Sequence, residues 1–267
     1  MIYSDFIKKV LHEASEVARS KFGQVTSTTK TGDNNQVLTE ADIEIGNLIV
    51  SRIKQAYPKY NIIDEEAGVI DNNSEYTWVV DPIDGTSNFA KGLPHYGIMI
   101  GLLHNDTPIA GGIALPFFRE ICLAEKGEGA YCNGEKLSVS SEANLLDCLV
   151  AYGIDGHQEE PKRTEKEAML LGDIVLSIRN LRTSNSAFDY VQIAKGTYGG
   201  LLNQTCKIWD NVAAQIIIEE AGGMYTQFDG TAINYASPLE QMDTNFTFCT
   251  ASPLLHKQLQ EIINKHH

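Results

Sequence analysis

The stretch Trp78-Val79-Val80-Asp81-Pro82-Ile83-Asp84-Gly85-Thr86-Ser87-Asn88-Phe89 joins an apolar run to a polar turn. Tyr76-Thr77-Trp78-Val79-Val80 reads as a buried strand, and it ends in two carboxylates spaced three apart around a proline. Because Pro82 fixes one φ angle, Asp81 and Asp84 can converge on one side of the turn, with the Ile83 carbonyl as a neutral oxygen beside them. Hard oxygen donors of this kind select magnesium over zinc. Gly85 permits close backbone approach to a ligand, and a short helix opening at Thr86 turns free N–H groups toward a phosphate. Taken alone, Asp-Pro-x-Asp-Gly is also ordinary turn chemistry. The preceding strand run is what favours a built site.

Working outward, Phe6, Ile7, Val10, Leu11, Ala14, Val17 and Ala18 recur at helical spacing, so an amphipathic helix opens the chain and ends near Gly23. A polar loop over 26–36, with Gly32-Asp33-Asn34-Asn35 as a turn cluster, leads to a second helix behind Thr39, striped by Ile45, Leu48, Ile49 and Ile53. Asn61-Ile62-Ile63 reads as a strand running into Asp64, Glu65 and Glu66, and strand carboxyl ends are common places for chemistry. Several β-type runs between Gly97 and Leu123 suggest an antiparallel meander. Beyond Ser138 strands near Cys148–Ala151 and Ile174–Ile178 alternate with helical stretches near 159–171, 186–195 and 210–221. A soft boundary near residue 140 therefore divides an N-terminal α+β half, 1–140, carrying most candidate metal ligands, from a C-terminal α/β half, 141–267. No repeat or long linker separates them, which places a site between the halves.

The bulk numbers narrow the function classes. The 267 residues, 43% of them hydrophobic, suffice for a sizeable core. A formal charge of −14, from 21 basic and 35 acidic residues, repels phosphate backbones and argues against nucleic-acid binding. The five cysteines are odd in number and lack C-x-x-C spacing, which disfavours a zinc site or disulfide framework and fits a reduced cytoplasmic setting. Charges throughout Met1 to Phe22 interrupt any signal-peptide core, and no later run is apolar for long enough to span a membrane. His266 and His267 stand at the terminus, where a tag stub would lie, and take no part in the metal argument.

The signature around Asp81 resembles that of the inositol monophosphatase family, and further pieces stand in the order that resemblance requires. Glu65, first of the pair after the strand, falls at a metal-ligating glutamate; without that context Glu65-Glu66 would be a solvated charge pair. Thr39-Glu40-Ala41-Asp42 is similar to the family's Thr-x-x-Asp segment, which sets Asp42 beside Thr86, although Thr39 and Asp42 equally make a helix capping box. Ile208-Trp209-Asp210-Asn211-Val212-Ala213-Ala214 resembles the second signature, with Asp210 at the start of a helix whose positions 210, 213, 214, 217, 218 and 221 share a face. Val212 departs from the small residue usual there, a change of packing more than of chemistry.

The resemblance covers the chain from the first helix to Gly223 and implies an α+β fold, a layered αβαβα sandwich of the inositol monophosphatase and fructose-1,6-bisphosphatase type. It implies a homodimeric phosphatase in which up to three magnesium ions are held by Glu65, Asp81, Ile83, Asp84 and Asp210. Lithium sensitivity goes with that set. Asp42, Glu65 and Thr86 are its catalytic residues, serving direct attack by an activated water. Substrate contacts fall on Asp84, Gly85, Thr86, Ser184-Asn185-Ser186, Asn203 and Asp210. The substrate implied is a small phosphorylated molecule, inositol monophosphate first. Asn203 replaces a glutamate of the inositol-specific members, and a neutral amide leaves room for a more anionic substrate: NADP, fructose-1,6-bisphosphate or 3′-phosphoadenosine-5′-phosphate. Asp64 stands where many members have glycine and either adds a carboxylate to the site or faces solvent. Lys30 is similar to a loop lysine of some members. A non-catalytic cation-binding domain is the competing reading.

Overall fold

The computed structural model describes residues 2–24, 27–29 and 37–266. Lys30 and most of the polar loop lie outside the described residues.

Five layers stack on one another. The outermost holds helices α1 (Ile2–Lys21) and α2 (Glu40–Ala56). Beneath them lies an eight-stranded sheet built from β3 (Asn61–Asp64), β4 (Gly68–Ile70), β5 (Tyr76–Asp84), β6 (Gly97–His104), β7 (Thr107–Leu115), β8 (Glu120–Glu125), β9 (Ala130–Cys132) and β10 (Glu135–Lys136). Its order is β10-β9-β8-β7-β6-β5-β3-β4, and the expected antiparallel meander is β6, β7 and β8. A small antiparallel pair, β1 (Ser27–Thr29) and β2 (Val37–Thr39), stands apart, and the five-residue α3 (Thr86–Ala90) follows β5. The middle layer is α5 (Ala187–Ala194) with α6 (Ile208–Glu220). The second sheet runs β12-β11-β13-β15-β14, from β11 (Leu149–Gly153), β12 (Asn180–Arg182), β13 (Gly200–Cys206), β14 (Met224–Thr226) and β15 (Phe246–Ala251). Helices α4 (Pro161–Ser177) and α7 (Pro253–Ile263) close the stack.

Side-chain alternation explains the layering. Along β5, Trp78 and Val80 pack on the apolar stripes of α1 and α2, while Val79 between them faces the α5 and α6 layer. The second sheet likewise turns Ala151, Leu201 and Phe248 toward the middle helices, and Val150, Leu202 and Cys249 toward α4 and α7. Helix α6 lies between two sheets and is buried almost all round, from Ile208 to Ile218 apart from Asp210. The single apolar face read from its sequence is therefore too narrow.

Two further expectations need correction. Ile174–Ile178 is not a strand: it is the last turn of α4 and the residue beyond it, and the strand is β12 at Asn180–Arg182. The β-branched residues there suggested a strand, yet Ile174 is buried with Leu170 and Glu167 on one helical face while Val175 and Leu176 are exposed. Asp210 is the third residue of α6, which begins at Ile208. Val212 packs closely on β6: its Cγ1 lies 2.6 Å from where a Cβ on Gly101 would sit. Glycine on the strand makes room for valine on the helix. All five cysteines are buried and free, and among the described residues no helix is long and apolar enough to cross a membrane.

Candidate metal and phosphate site

The carboxyl ends of β3 and β5, the start of α3 and the start of α6 meet at one cleft of about 460 Å³. Its walls include Glu65, Asp81, Ile83, Asp84, Gly85, Thr86, Ser184, Asn185 and Asp210. Nine residues expected from the sequence thus share one cavity. Ser186 and Asn203 line an adjoining cavity that also touches Asp84, Asn185 and Asp210.

The local geometry follows from the proline. Pairing of β5 with β6 is regular as far as Asp81, then shifts register before resuming at Asp84. Pro82 has no N–H to donate to the ladder, so the strand bulges there and re-aims the side chains at its end. One carboxylate oxygen from each of Asp81, Asp84 and Asp210 lies within 4.8 Å of the others. Asp81 Oδ1 and Asp84 Oδ2 are enclosed and accept no hydrogen bond. Burial first, and then the charges of Glu65, Asp84 and Asp210, push the Asp81 carboxyl well above the usual carboxylate range. Asp84 is pushed the same way, by burial and then by Asp210 and Glu65. Enclosed carboxylate oxygens without donors, converging on one point, fit a hard divalent cation. Asp210 also caps its helix, its Oδ2 accepting from the Lys207 amide at 2.6 Å. The capping and ligand readings are compatible, since a carboxylate has lone pairs enough for both.

Asp42 is reached through Thr86. Thr86 Oγ1 stands 3.1 Å from Asp42 Oδ1 and 2.7 Å from the Ile83 carbonyl oxygen, so its one proton has two acceptors. The other Asp42 oxygen accepts from the Thr39 amide at 2.8 Å and from the Thr39 hydroxyl. The capping box is real, and it holds the carboxylate against Thr86. Burial raises the Asp42 pKa, and these hydrogen bonds partly offset the rise.

Asp64 does not face solvent. It is buried, and its Oδ1 accepts from the amides of Glu66 at 3.0 Å and Ala67 at 2.7 Å, fixing the turn that carries Glu65. Gly85 has φ +86°, and a Cβ on it would fall 2.7 Å from Cβ of Ser186. Glycine is thus required twice over, by the left-handed backbone and by the close seating of the 184–186 segment. Asn88 ties the same pieces together, donating to the carbonyls of His95 at 2.7 Å and Ser184 at 2.9 Å. Asp155, Thr205, Lys207 and Trp209 also line the cleft and were not singled out from the sequence. No motif marks Asp155 or Thr205; proximity in sequence to Asp210 was the available signal for the other two.

Residues 3–267 match the model of the Inositol monophosphatase family. The "Fructose-1,6-bisphosphatase/inositol-1-monophosphatase" of Thermotoga maritima is 31% identical over 264 residues, which cover 98% of this chain and 95% of the relative. The Nus factor SuhB of Xylella fastidiosa is 32% identical over 193 residues, covering 72% of this chain and 69% of the relative. Among solved structures, the Thermotoga maritima IMPase superposes with a TM-score of 0.87 at 28% identity, covering 100% of this chain and 98% of that one.

Proposed function

We propose, from the premise that the chain belongs to the inositol monophosphatase family, that it hydrolyses small phosphate monoesters in a magnesium-dependent reaction, with inositol monophosphate as the first substrate. The observation that carries this reading is the convergence of Asp81, Asp84 and Asp210, with one enclosed oxygen on each of Asp81 and Asp84 that accepts no hydrogen bond, beside the Thr86 and Asp42 pair.

Asp81, Asp84, Asp210, Glu65 and the Ile83 carbonyl would hold the cations. Bound magnesium supplies Lewis-acid charge to the phosphoryl group and lowers the pKa of water, the usual means of generating a nucleophile at neutral pH. Thr86 Oγ1, its proton directed to Asp42 or Ile83, presents lone pairs that orient the attacking water. Asp42, whose proton affinity burial has raised, is the acceptor at the end of that relay. Ser184, Asn185, Ser186 and Asn203 hold the alcohol on the far side of the cleft. A cation-binding domain without turnover is the poorer account, because holding a cation requires neither Thr86 nor Asp42.

The test is phosphate release with and without magnesium on inositol-1-phosphate, NADP, fructose-1,6-bisphosphate and 3′-phosphoadenosine-5′-phosphate. Magnesium-dependent release, highest on inositol-1-phosphate, is expected. Magnesium binding without release from any of them would replace this reading with the non-catalytic one.

A further inference from the structure

Beside the metal cleft lies a smaller cavity of about 120 Å³, and the two share Asp84, Asp155, Asn185, Thr205 and Asp210. Four side chains from three segments close a ring of hydrogen bonds in its wall. Asn185 Nδ2 donates to Asp155 Oδ1 at 3.3 Å, and Asn203 Nδ2 donates to Asn185 Oδ1 at 3.3 Å. The Thr205 amide donates to Asn203 Oδ1 at 2.7 Å, and the Thr205 hydroxyl donates to Asp155 Oδ2. Asn185 holds a left-handed φ of 51° to take its place. Gly153, paired with Asn203 across the parallel strands, leaves room for the ring: a Cβ there would lie 2.5 Å from Asn203 Nδ2 and 2.6 Å from Asn185 Oδ1.

The charge around this ring has one sign. Among the described residues lining the smaller cavity the ionisable groups of neutral pH are Asp84, Asp155, Asp189 and Asp210, with no lysine, arginine or histidine. Cations would neutralise Asp84 and Asp210. Asp189 is buried: its Oδ2 accepts from the amides of Ser184 at 3.2 Å and Asn185 at 3.1 Å, and its Oδ1 is enclosed, out of reach of a ligand in the cleft. Asp155 is different: it is half-buried, borders both cavities, and two donors leave it with lone pairs to spare. A hydroxyl of the alcohol can donate to it. A second phosphate could not, and would meet a like charge with no cation in the wall of the smaller cavity to offset it; Lys207, in the wall of the larger cleft, donates its Nζ to the Asp243 carbonyl at 2.9 Å.

We infer that Asp155 is a specificity-determining residue that accepts hydrogen bonds from a neutral polyol and excludes alcohols carrying a second anionic group. The inference rests on the phosphatase reading above and deepens it. Monophosphates of uncharged polyhydroxyl compounds are the substrate class; bisphosphates and phosphorylated nucleotides are poor substrates. It also revises what the neutral Asn203 implied. A carboxylate is supplied from residue 155 through Thr205, so the amide at 203 does not open the site to anions.

The test compares kcat/KM for release of the C1 phosphate from fructose-1-phosphate and from fructose-1,6-bisphosphate, with glycerol-2-phosphate as a control for phosphatase activity. The intact protein is expected to prefer the monophosphate by about tenfold or more, the scale of one like-charge contact in a partly exposed site. In Asp155→Asn the gap should close, chiefly by a rise for the bisphosphate. Raising salt to about 0.5 M should narrow it in the intact protein and leave the variant unchanged. Both rates come from one preparation, so their ratio does not depend on how much of the variant folds. A ratio unaltered by Asp155→Asn, or a preference of the intact protein for the bisphosphate, would overturn the inference while the phosphatase reading stands. No release even from glycerol-2-phosphate would overturn that reading, and the inference with it.

Discussion

The two walls of the cleft manage polar groups in opposite ways. At the end of β5, Asp81 and Asp84 are crowded together with enclosed oxygens that accept nothing, and burial resists their ionisation. At the end of β13, Asn203 and Thr205 are linked with Asn185 and Asp155 in a closed ring, each side chain with a partner inside the protein and with capacity left for a ligand. The first wall leaves enclosed oxygens without a donor, whereas every side chain of the second has a partner within the protein. Enclosed like charges cost folding free energy and are justified by what binds them, while a satisfied ring costs little and holds a shape. On the proposed function, binding of metal and recognition of the alcohol are therefore separable.

The largest effect should come from the first wall. Asp81→Asn and Asp210→Asn keep shape but remove charge, and each is expected to lower kcat by about a hundredfold or more with unchanged circular dichroism. Unchanged turnover in both would break the assignment of that wall to metal binding.

A second effect follows from linkage. Folding raises the Asp81 and Asp84 pKa values above their unfolded ones, so without metal stability falls as pH climbs out of the ordinary carboxylate range toward the folded values. Divalent cations bind the ionised pair, so the stabilisation by magnesium should instead grow with pH. Asp84→Asn is expected to raise Tm without metal by a few degrees at neutral pH and to abolish most of the magnesium-induced gain. Scanning calorimetry at pH 6 and 8, with and without magnesium, reads both, and a magnesium gain that survives the substitution contradicts the contrast between the walls.

Thr86→Ala separates chemistry from metal holding. Loss of the hydroxyl beside Asp42 should lower kcat by about ten- to a hundredfold while the magnesium-induced rise in Tm persists. Loss of that rise as well would mean that Thr86 serves the cation.

The smallest effect belongs to the second wall. Gly153→Ala drives a Cβ into Asn203 and Asn185, and the expected cost is about 1 kcal/mol of stability with a severalfold rise in KM. The magnesium response should be untouched, and a loss of it would show the two walls to be coupled.

Much of the first wall was legible from residue order alone. A strand, a proline that interrupts its pairing, two aspartates and a glycine are local facts, and the bulge they produce involves only β5 and its neighbour β6. Thr39 and Asp42 were legible as a cap for the same reason. Asp64 was not, because whether a carboxylate in a turn faces water or its own backbone depends on what packs over it, here α2 at Gly46, where a Cβ would lie 3.1 Å from Asp64 Oδ2. Ile174–Ile178 misled because β-branched residues suit a strand as readily as one buried face of a helix, and the choice was made by packing of α4 against α7 and the sheet.

From its sequence alone this protein was set to bring the carboxylates of Asp81 and Asp84 together at a strand end, with Asp42 capping a helix behind Thr39, since bonds between near neighbours need no distant partner. Tertiary structure decided the rest. Asp210 joins that cluster only because α6 is pressed between two sheets, and Asp155 reaches the cleft only because β11 and β13 run parallel and in register. Contacts across 50 residues or more, such as the one between Asp155 and Thr205, leave no periodicity in a sequence, because their geometry is set by how whole layers stack.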